Sequence, residues 1–280
     1  SSYWEPISLN AKDSYTKAVL YGLALPLIII YLILFFDTKV KSVHDVKTAL
    51  DTVPNLGELP MIKKDFILSR KDDNSALSEA FRILSSNLNF VVPIQQTKQA
   101  HVIVSTSTIK GEGKTFTSIN LAFVEANLGK RVLLVGADLR NPQLHKFLNQ
   151  KRENIGLTSY LSNENFNDVD SLITKAAKPG GLDYLLTGAI PPNPSELLMR
   201  SRTKELLDIL KQSYDLILID SAPLLLVSDT TALLPLCDSV VYVTRSQYSE
   251  KKTFSFILNM QQRENVPPFG MVLNGLRSGG

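Results

Sequence analysis

One short stretch constrains this chain more than any other: Ser105-Thr106-Ser107-Thr108-Ile109-Lys110-Gly111-Glu112-Gly113-Lys114-Thr115. It follows a β-like run, His101-Val102-Ile103-Val104, and precedes a helical pattern from Phe116 to Leu128. A strand, a glycine-containing loop ending in Lys-Thr, and a helix, in that order, suit a turn that wraps phosphates. Glycines let backbone N–H groups approach the oxygens. Lys114 would bridge the β- and γ-phosphates, and the Thr115 hydroxyl would reach Mg²⁺. The helix behind points its positive dipole end at the anion. The candidate nucleotide-contacting residues here are Lys110, Gly111, Glu112, Gly113, Lys114, Thr115 and Phe116. Thr108 stands where the pattern usually has its first glycine.

The chain around this loop alternates between strands and helices. Strands are expected at Val102–Ser105, Val132–Gly136, Leu182–Leu186, Leu216–Asp220, Ser239–Thr244 and Gly270–Asn274, with helical stretches between most of them, including Ser195–Lys211. The strands are nearly continuous apolar runs, as when both sheet faces are covered. The expected fold is therefore α/β, a mainly parallel sheet flanked by helices, with ligands beyond the carboxyl ends of the strands.

Two strands end in aspartate: Asp138, within Gly136-Ala137-Asp138-Leu139-Arg140, and Asp220, within Ile219-Asp220-Ser221-Ala222-Pro223. Mg²⁺ prefers oxygen ligands and keeps several waters, so one or two carboxylates plus phosphates suffice. Asp220 is expected to hold Mg²⁺ directly or through water, with Asp138 binding the ion or orienting an attacking hydroxyl. A strand-end aspartate is commonly just a helix cap, but two of them in a phosphate-loop protein argue otherwise. Arg140 is placed either to contact phosphates or to stabilise its loop.

Ala18 to Phe36 is an uncharged run of 19 residues, close to the roughly 20 needed to span a bilayer. Pro26 is tolerable in such a helix. Residues 17–37 are read as a transmembrane helix and 1–16, with Trp4 and Pro6, as the end of an extracytoplasmic domain. Residues 38–75 are read as a mostly irregular cytoplasmic linker. Within it, Ser42 and Asp45 resemble a capping box before a short, marginal helix, and Pro54 to Pro60 is turn-rich. Residues 76–280 are read as the phosphate-loop domain, whose nucleotide places it in the cytosol. In a helix from Ala76 to about Phe90, Leu77, Phe81, Leu84 and Leu88 make one apolar face, and Glu79 and Arg82 share another. That pair is either an exposed ion pair or part of an interaction surface. The net charge of +3 is too small to argue for nucleic acid. The single cysteine, Cys237, excludes an internal disulfide and reads as buried, and His44, His101 and His145 lack metal-ligand spacing.

Together the Gly111–Thr115 loop, Asp138-Leu139-Arg140-Asn141-Pro142 and Ile219-Asp220-Ser221-Ala222-Pro223 resemble the motifs of bacterial tyrosine kinases. Pro191-Pro192-Asn193-Pro194-Ser195-Glu196-Leu197-Leu198 is similar to a further segment of that family. The apolar helix followed by Val53-Pro54-Asn55-Leu56-Gly57 resembles the polysaccharide co-polymerase module fused to such kinases. The resemblance covers nearly the whole chain. It implies a membrane-anchored ATP-dependent protein-tyrosine autokinase at the bacterial inner membrane, regulating capsule and exopolysaccharide synthesis and export. It also implies ATP and Mg²⁺ as cofactors, with Lys114, Asp138 and Asp220 catalytic and Thr115, Asp138 and Asp220 at the metal. Asn274 looks like the family's adenine-contacting asparagine, or an ordinary strand-end residue. The expected partners are further copies of the chain in a ring docked through Glu79 and Arg82, substrate tyrosines including its own tail, the export machinery and the membrane.

The chain departs from the family at several points. Ser85 replaces the second arginine of a Glu-x-x-Arg-x-x-Arg motif. Gly136 stands where a further aspartate is usual, Lys110 where proline is common, and no tyrosine follows Tyr248. Ile109 occupies the place of the signature lysine of MinD/ParA-type positioning ATPases. Gly136 and the short tail leave open a second reading, a nucleotide-operated assembly switch or chain-length regulator with little kinase activity.

Overall fold

The structure, a computed structural model, describes residues 11–35, 37–62, 67–68, 73–91, 100–151, 153–177, 181–225 and 228–277. Residues 1–10, Phe36 and the last three residues lie outside these, so the reading of Trp4, Pro6 and the tail does too. The chain divides into two units, Ser1–Thr38 and Lys39–Gly280. The first contains helix α1 (Ala11–Phe35), with Pro26 inside it. Its stretch Ser14–Leu32 is 19 residues of mean hydropathy 1.7 with its side chains unburied, long and apolar enough to cross a membrane.

The second unit runs α2 (Val43–Ala49), β1 (Asn55–Pro60), α3 (Ala76–Val91), β2 (His101–Ser107), α4 (Lys114–Asn127), β3 (Val132–Gly136), α5 (Leu144–Phe147) and α6 (Leu157–Ser162). It continues through β4 (Ile173–Thr174), β5 (Asp183–Leu185), α7 (Pro194–Met199), α8 (Ser201–Leu210), β6 (Leu216–Asp220), α9 (Asp229–Leu233), β7 (Ser239–Arg245), α10 (Phe254–Gln261) and β8 (Phe269–Leu276). The strands form one sheet in the order β1-β8-β7-β2-β6-β3-β5-β4. Every pairing is parallel except β4 with β5. This is the mainly parallel, helix-flanked sheet expected from the apolar runs.

Strand alternation divides the core between the two faces. One face buries Val102, Val104, Leu133, Ile217 and Tyr242 beneath α7, α8 and α10 residues such as Leu197, Leu206 and Ile257. The other buries Ile103, Leu134, Leu218 and Val241 beneath α3 and α4, through Phe81, Leu84, Ile119 and Leu121. The expected apolar face of α3, from Leu77 to Leu88, is this contact. Cys237 is buried, and its thiol donates to the Leu233 carbonyl at 3.2 Å.

The stretch 38–75 departs most from its sequence reading. Its first part is an integral piece of the sheet rather than an irregular linker. Ser42 and Asp45 do form a capping box on α2, and the helix gains its partner by burying Val46, with Val40, Leu50 and Val53, in the core. The turn-rich Pro54–Pro60 is an edge strand. Two prolines are tolerated there because an edge strand has one side free of ladder bonds, and the Pro54 carbonyl accepts from Met271 N at 2.8 Å. Leu56 reaches its buried position over Gly270, where an added Cβ would sit 2.5 Å from Leu56 Cδ1.

A second correction concerns Ser195–Lys211. It is two helices, α7 and α8, broken at Arg200, whose ψ of 151° is extended. Tertiary bonds outweigh helix propensity at this break. Arg202 lies 4.0 Å from the Tyr160 ring centroid and donates to the Tyr160, Glu164 and Phe166 carbonyls.

Candidate active site

At the carboxyl ends of β2, β3, β6, β7 and β8 the chain encloses a cleft of ≈ 420 Å³. The loop between β2 and α4 forms its floor. Gly111 and Gly113 have φ of 92° and 102°, a left-handed conformation that a side chain would strain. No side chain caps the start of α4, so its first N–H groups and the helix dipole remain directed at an anion in the cleft. Thr108 is explained by its neighbour: its hydroxyl is hydrogen-bonded to that of buried Tyr242.

The chemistry centres on Lys114. Its Nζ lies 3.0 Å from Asp138 Oδ2 and 3.6 Å from Asp220 Oδ1, and donates to Thr115 Oγ1 at 3.2 Å. The Thr115 hydroxyl donates to Asp220 Oδ2 at 2.8 Å. Burial works to lower the Lys114 pKa, but the charges of Asp220 and Asp138 outweigh it, and the ammonium is held above the ordinary lysine value. Burial raises the Asp220 carboxyl, with Lys114 and Thr115 pulling the other way. Two carboxylates and a hydroxyl around one buried point are the oxygen donors that Mg²⁺ takes. The described residues contain no group of three or more His, Cys, Asp or Glu able to hold a metal, so phosphate and water would complete the shell. The donor set thus fits a Mg²⁺–nucleotide held by Thr115, Asp220 and Asp138.

The other predicted residues separate. Lys110, Gly111, Gly113, Phe116, Arg140 and Asn274 line the cleft. Asn274 Nδ2 donates to the Glu112 carbonyl at 2.9 Å, bracing the loop. The Glu112 side chain does not line the cleft. It turns into the protein, accepting from Ile109 N at 2.8 Å and from the Ser249 hydroxyl, and burial raises its carboxyl pKa. Glu79 and Arg82 stand apart on α3, 3.4 Å from each other, while Arg82 Nη2 donates to the Asp73 carbonyl at 3.0 Å. Ser85, where an arginine was expected, is buried and donates to Glu125 Oε1 at 2.7 Å. That position faces the domain's own core.

Several cleft residues had not been anticipated. Met61 and Ile62, just past β1, and Phe147 supply apolar surface. Met61 and Ile62 give no sequence signal because they follow an edge strand whose partner is remote, and Phe147 because it ends a helix of only four residues, α5. Arg245 ends β7, and the strand-end rule that singled out Asp138 and Asp220 applies to it equally. Its Nη1 donates to the Gly111 carbonyl at 2.9 Å, beside the Tyr248 hydroxyl donating to the Lys110 carbonyl at 2.9 Å.

The space at Gly136 is filled. An added Cβ would lie 3.1 Å from Thr187 Oγ1 and 3.3 Å from Leu144 Cδ2. Gly136→Asp is therefore expected to cost about 1–3 kcal/mol of stability through overpacking without raising ATP turnover. Urea denaturation and a turnover assay check both, and a stable, faster variant would contradict the packing argument.

A family model described as an AAA domain matches residues 100–265. A putative tyrosine-protein kinase, EpsB of Ralstonia solanacearum, is 35% identical over 237 residues, 84% of this chain and 31% of its own length. Tyrosine-protein kinase YwqD of Bacillus subtilis (strain 168) is 36% identical over 188 residues, 66% of this chain and 76% of its own. The structure of the kinase domain of Escherichia coli tyrosine kinase ETK superposes with a TM-score of 0.74 at 29% identity, covering 86% of this chain and 96% of that one. The chain spans about a third or less of the length of the first curated relatives it matches.

Proposed function

The chain belongs to the bacterial tyrosine kinases, and from that premise we propose that it is an ATP-dependent, Mg²⁺-requiring protein-tyrosine autokinase that regulates capsular or exopolysaccharide polymerisation and export. The observation that carries this reading is the Lys114 ammonium held between Asp138 and Asp220 beside the Thr115 hydroxyl. Phosphoryl transfer needs positioning and charge neutralisation more than covalent chemistry. Bound Mg²⁺ would neutralise phosphate charge. Thr115, Asp220 and Asp138 would hold the ion, Lys114 would meet the charge of the transferring group, and Asp138 would also orient Lys114 or accept the tyrosine hydroxyl proton. Met61, Ile62 and Phe147 offer a base the apolar wall it needs.

In this reading α1 anchors the protein in the plasma membrane, with residues 1–16 outside and the kinase domain in the cytoplasm. Substrates are protein tyrosines, and the other partners are the export machinery. Incubation of the full-length protein with Mg-ATP should produce phosphotyrosine detectable by antibody. ATP turnover without any phosphotyrosine would sink the kinase reading in favour of an ATP-operated assembly switch, which Gly136 favours. Glu79 and Arg82 are proposed to dock neighbouring copies in a ring. Sedimentation of the Glu79→Ala/Arg82→Ala protein should then show smaller species, and unchanged assembly would remove them from the interface.

A further inference from the structure

We propose that Asp229 and Ser195 are positioning residues that aim the Arg140 guanidinium at the phosphoryl group in transfer. This rests on the nucleotide reading of the cleft, deepens it, and gives Pro191–Leu198 a task. Arg140 Nε donates to Asp229 Oδ2 at 2.8 Å and Nη2 to Asp229 Oδ1 at 3.1 Å, a two-point fork. Nη2 also donates to Ser195 Oγ at 3.0 Å. The Ser195 hydroxyl in turn donates to Asp229 Oδ1, and the Ser228 hydroxyl to Ser195 Oγ at 3.2 Å.

Three separate segments meet here beyond the sheet: Arg140 follows β3, Ser195 lies in the first turn of α7, and Asp229 opens α9. The Asp229 side chain is fully buried, whereas that of Arg140 is 45% exposed. A buried carboxylate is costly unless neutralised, so Asp229 fixes the plane of the guanidinium rather than borrowing a mobile one. Nε and Nη2 are committed to this contact. Nη1 has no partner among the described residues, and Arg140 lines the cleft with Lys114 and Asp138. The clamp leaves the two Nη1 donors uncommitted on a residue that lines the cleft, beside but separate from Lys114. Donors fixed before reaction cost no reorganisation as charge spreads over the phosphoryl oxygens. Asp229 touches no reacting atom in this scheme; its effect passes through Arg140.

The test uses the full chain and compares affinity for Mg-ADP with affinity for Mg-ADP plus aluminium fluoride, which mimics the transferring group, alongside ATP turnover. Arg140→Ala should lose about a hundredfold in the aluminium fluoride complex and in turnover, and Asp229→Asn about tenfold, with Mg-ADP affinity nearly unchanged. Ser195→Ala should lose less than Asp229→Asn in the same two readouts. Arg140→Lys keeps the charge without the fork and should resemble Arg140→Ala. The double variant Arg140→Ala/Asp229→Asn should be no worse than Arg140→Ala, because the two act as one unit. Added guanidinium should restore turnover to Arg140→Ala but not to the double variant.

Additive losses in the double variant would overturn the proposal. So would a fully active Arg140→Lys, or an Asp229→Asn that loses Mg-ADP and its aluminium fluoride complex in step. An unaltered protein that does not prefer the aluminium fluoride complex over Mg-ADP would also overturn it. If phosphotyrosine is absent while these effects on turnover appear, the kinase reading falls and the clamp stands.

Discussion

Replacing Lys114 by methionine is expected to slow phosphoryl transfer on the order of a thousandfold and, independently, to lower stability near neutral pH by about 3–5 kcal/mol. The first effect follows from losing the cation that meets the transferring group. The second follows from leaving Asp138 and Asp220 buried without their shared ammonium, 3.0 and 3.6 Å away. The sign of the pH dependence is fixed by the shift. The Lys114 pKa is raised in the fold, so its contribution is complete below the unfolded lysine value and lost as pH rises through the folded one. In acid the deficit of the variant should shrink, because Asp220, already raised by burial, then takes up a proton and no longer needs the ammonium. Urea denaturation of both proteins in mildly acidic and neutral buffer measures this. Equal stability at neutral pH would mean that the ammonium does not compensate the carboxylates.

Asp220→Asn should have the opposite effect on the fold while also abolishing function. The site carries two carboxylates against one ammonium, and the Asp220 pKa is raised above its unfolded value by burial. Its charge therefore costs stability above the folded pKa, and that cost disappears as pH falls below the unfolded one. Removing the charge should raise the melting temperature at neutral pH and flatten its pH dependence, a common trade between stability and a strained site. The Mg²⁺-dependent gain in nucleotide affinity should vanish, because the carboxylate bonded to the Thr115 hydroxyl at 2.8 Å is lost. Calorimetry with nucleotide, with and without Mg²⁺, checks the second half. A variant that is less stable than the parent and still senses Mg²⁺ would refute both halves.

The central parallel strands were legible because they are buried on both faces and read as unbroken apolar runs. The phosphate loop was legible because its backbone conformation demands glycine at 111 and 113, and the strand-end aspartates because parallel sheets gather ligands at one end. What escaped was set by distant partners. Nothing local in Pro54–Pro60 announces pairing with β8, since the favourable contacts are Leu56 over Gly270 and Gly57 against Leu84, more than two hundred and about thirty residues along the sequence. The break at Arg200 is accompanied by Arg202 bonds to carbonyls of Tyr160 in α6 and Phe166 beyond it, about forty residues back. Glu112 sits inside a nucleotide motif yet serves as a brace: besides the local Ile109 N, its partner is Ser249, which only tertiary structure brings near. Ser85 stands where the docking motif has its second arginine, and its hydroxyl belongs to Glu125, forty residues on.

The edge strand β1 bears on where this domain can be cut. A fragment beginning at Ala76 keeps every motif of the nucleotide site but strips the cover from β8. The side of β8 that pairs with β1, from Met271 to Leu276, would then carry unpaired backbone donors and acceptors along an apolar strand, an edge of the kind that recruits other chains into aggregates. The opposite margin of the sheet is guarded differently, by β4, which is two residues long and antiparallel. Solubility of the isolated nucleotide-binding unit thus depends on retaining residues 39–60, which supply none of the phosphate- or metal-facing side chains.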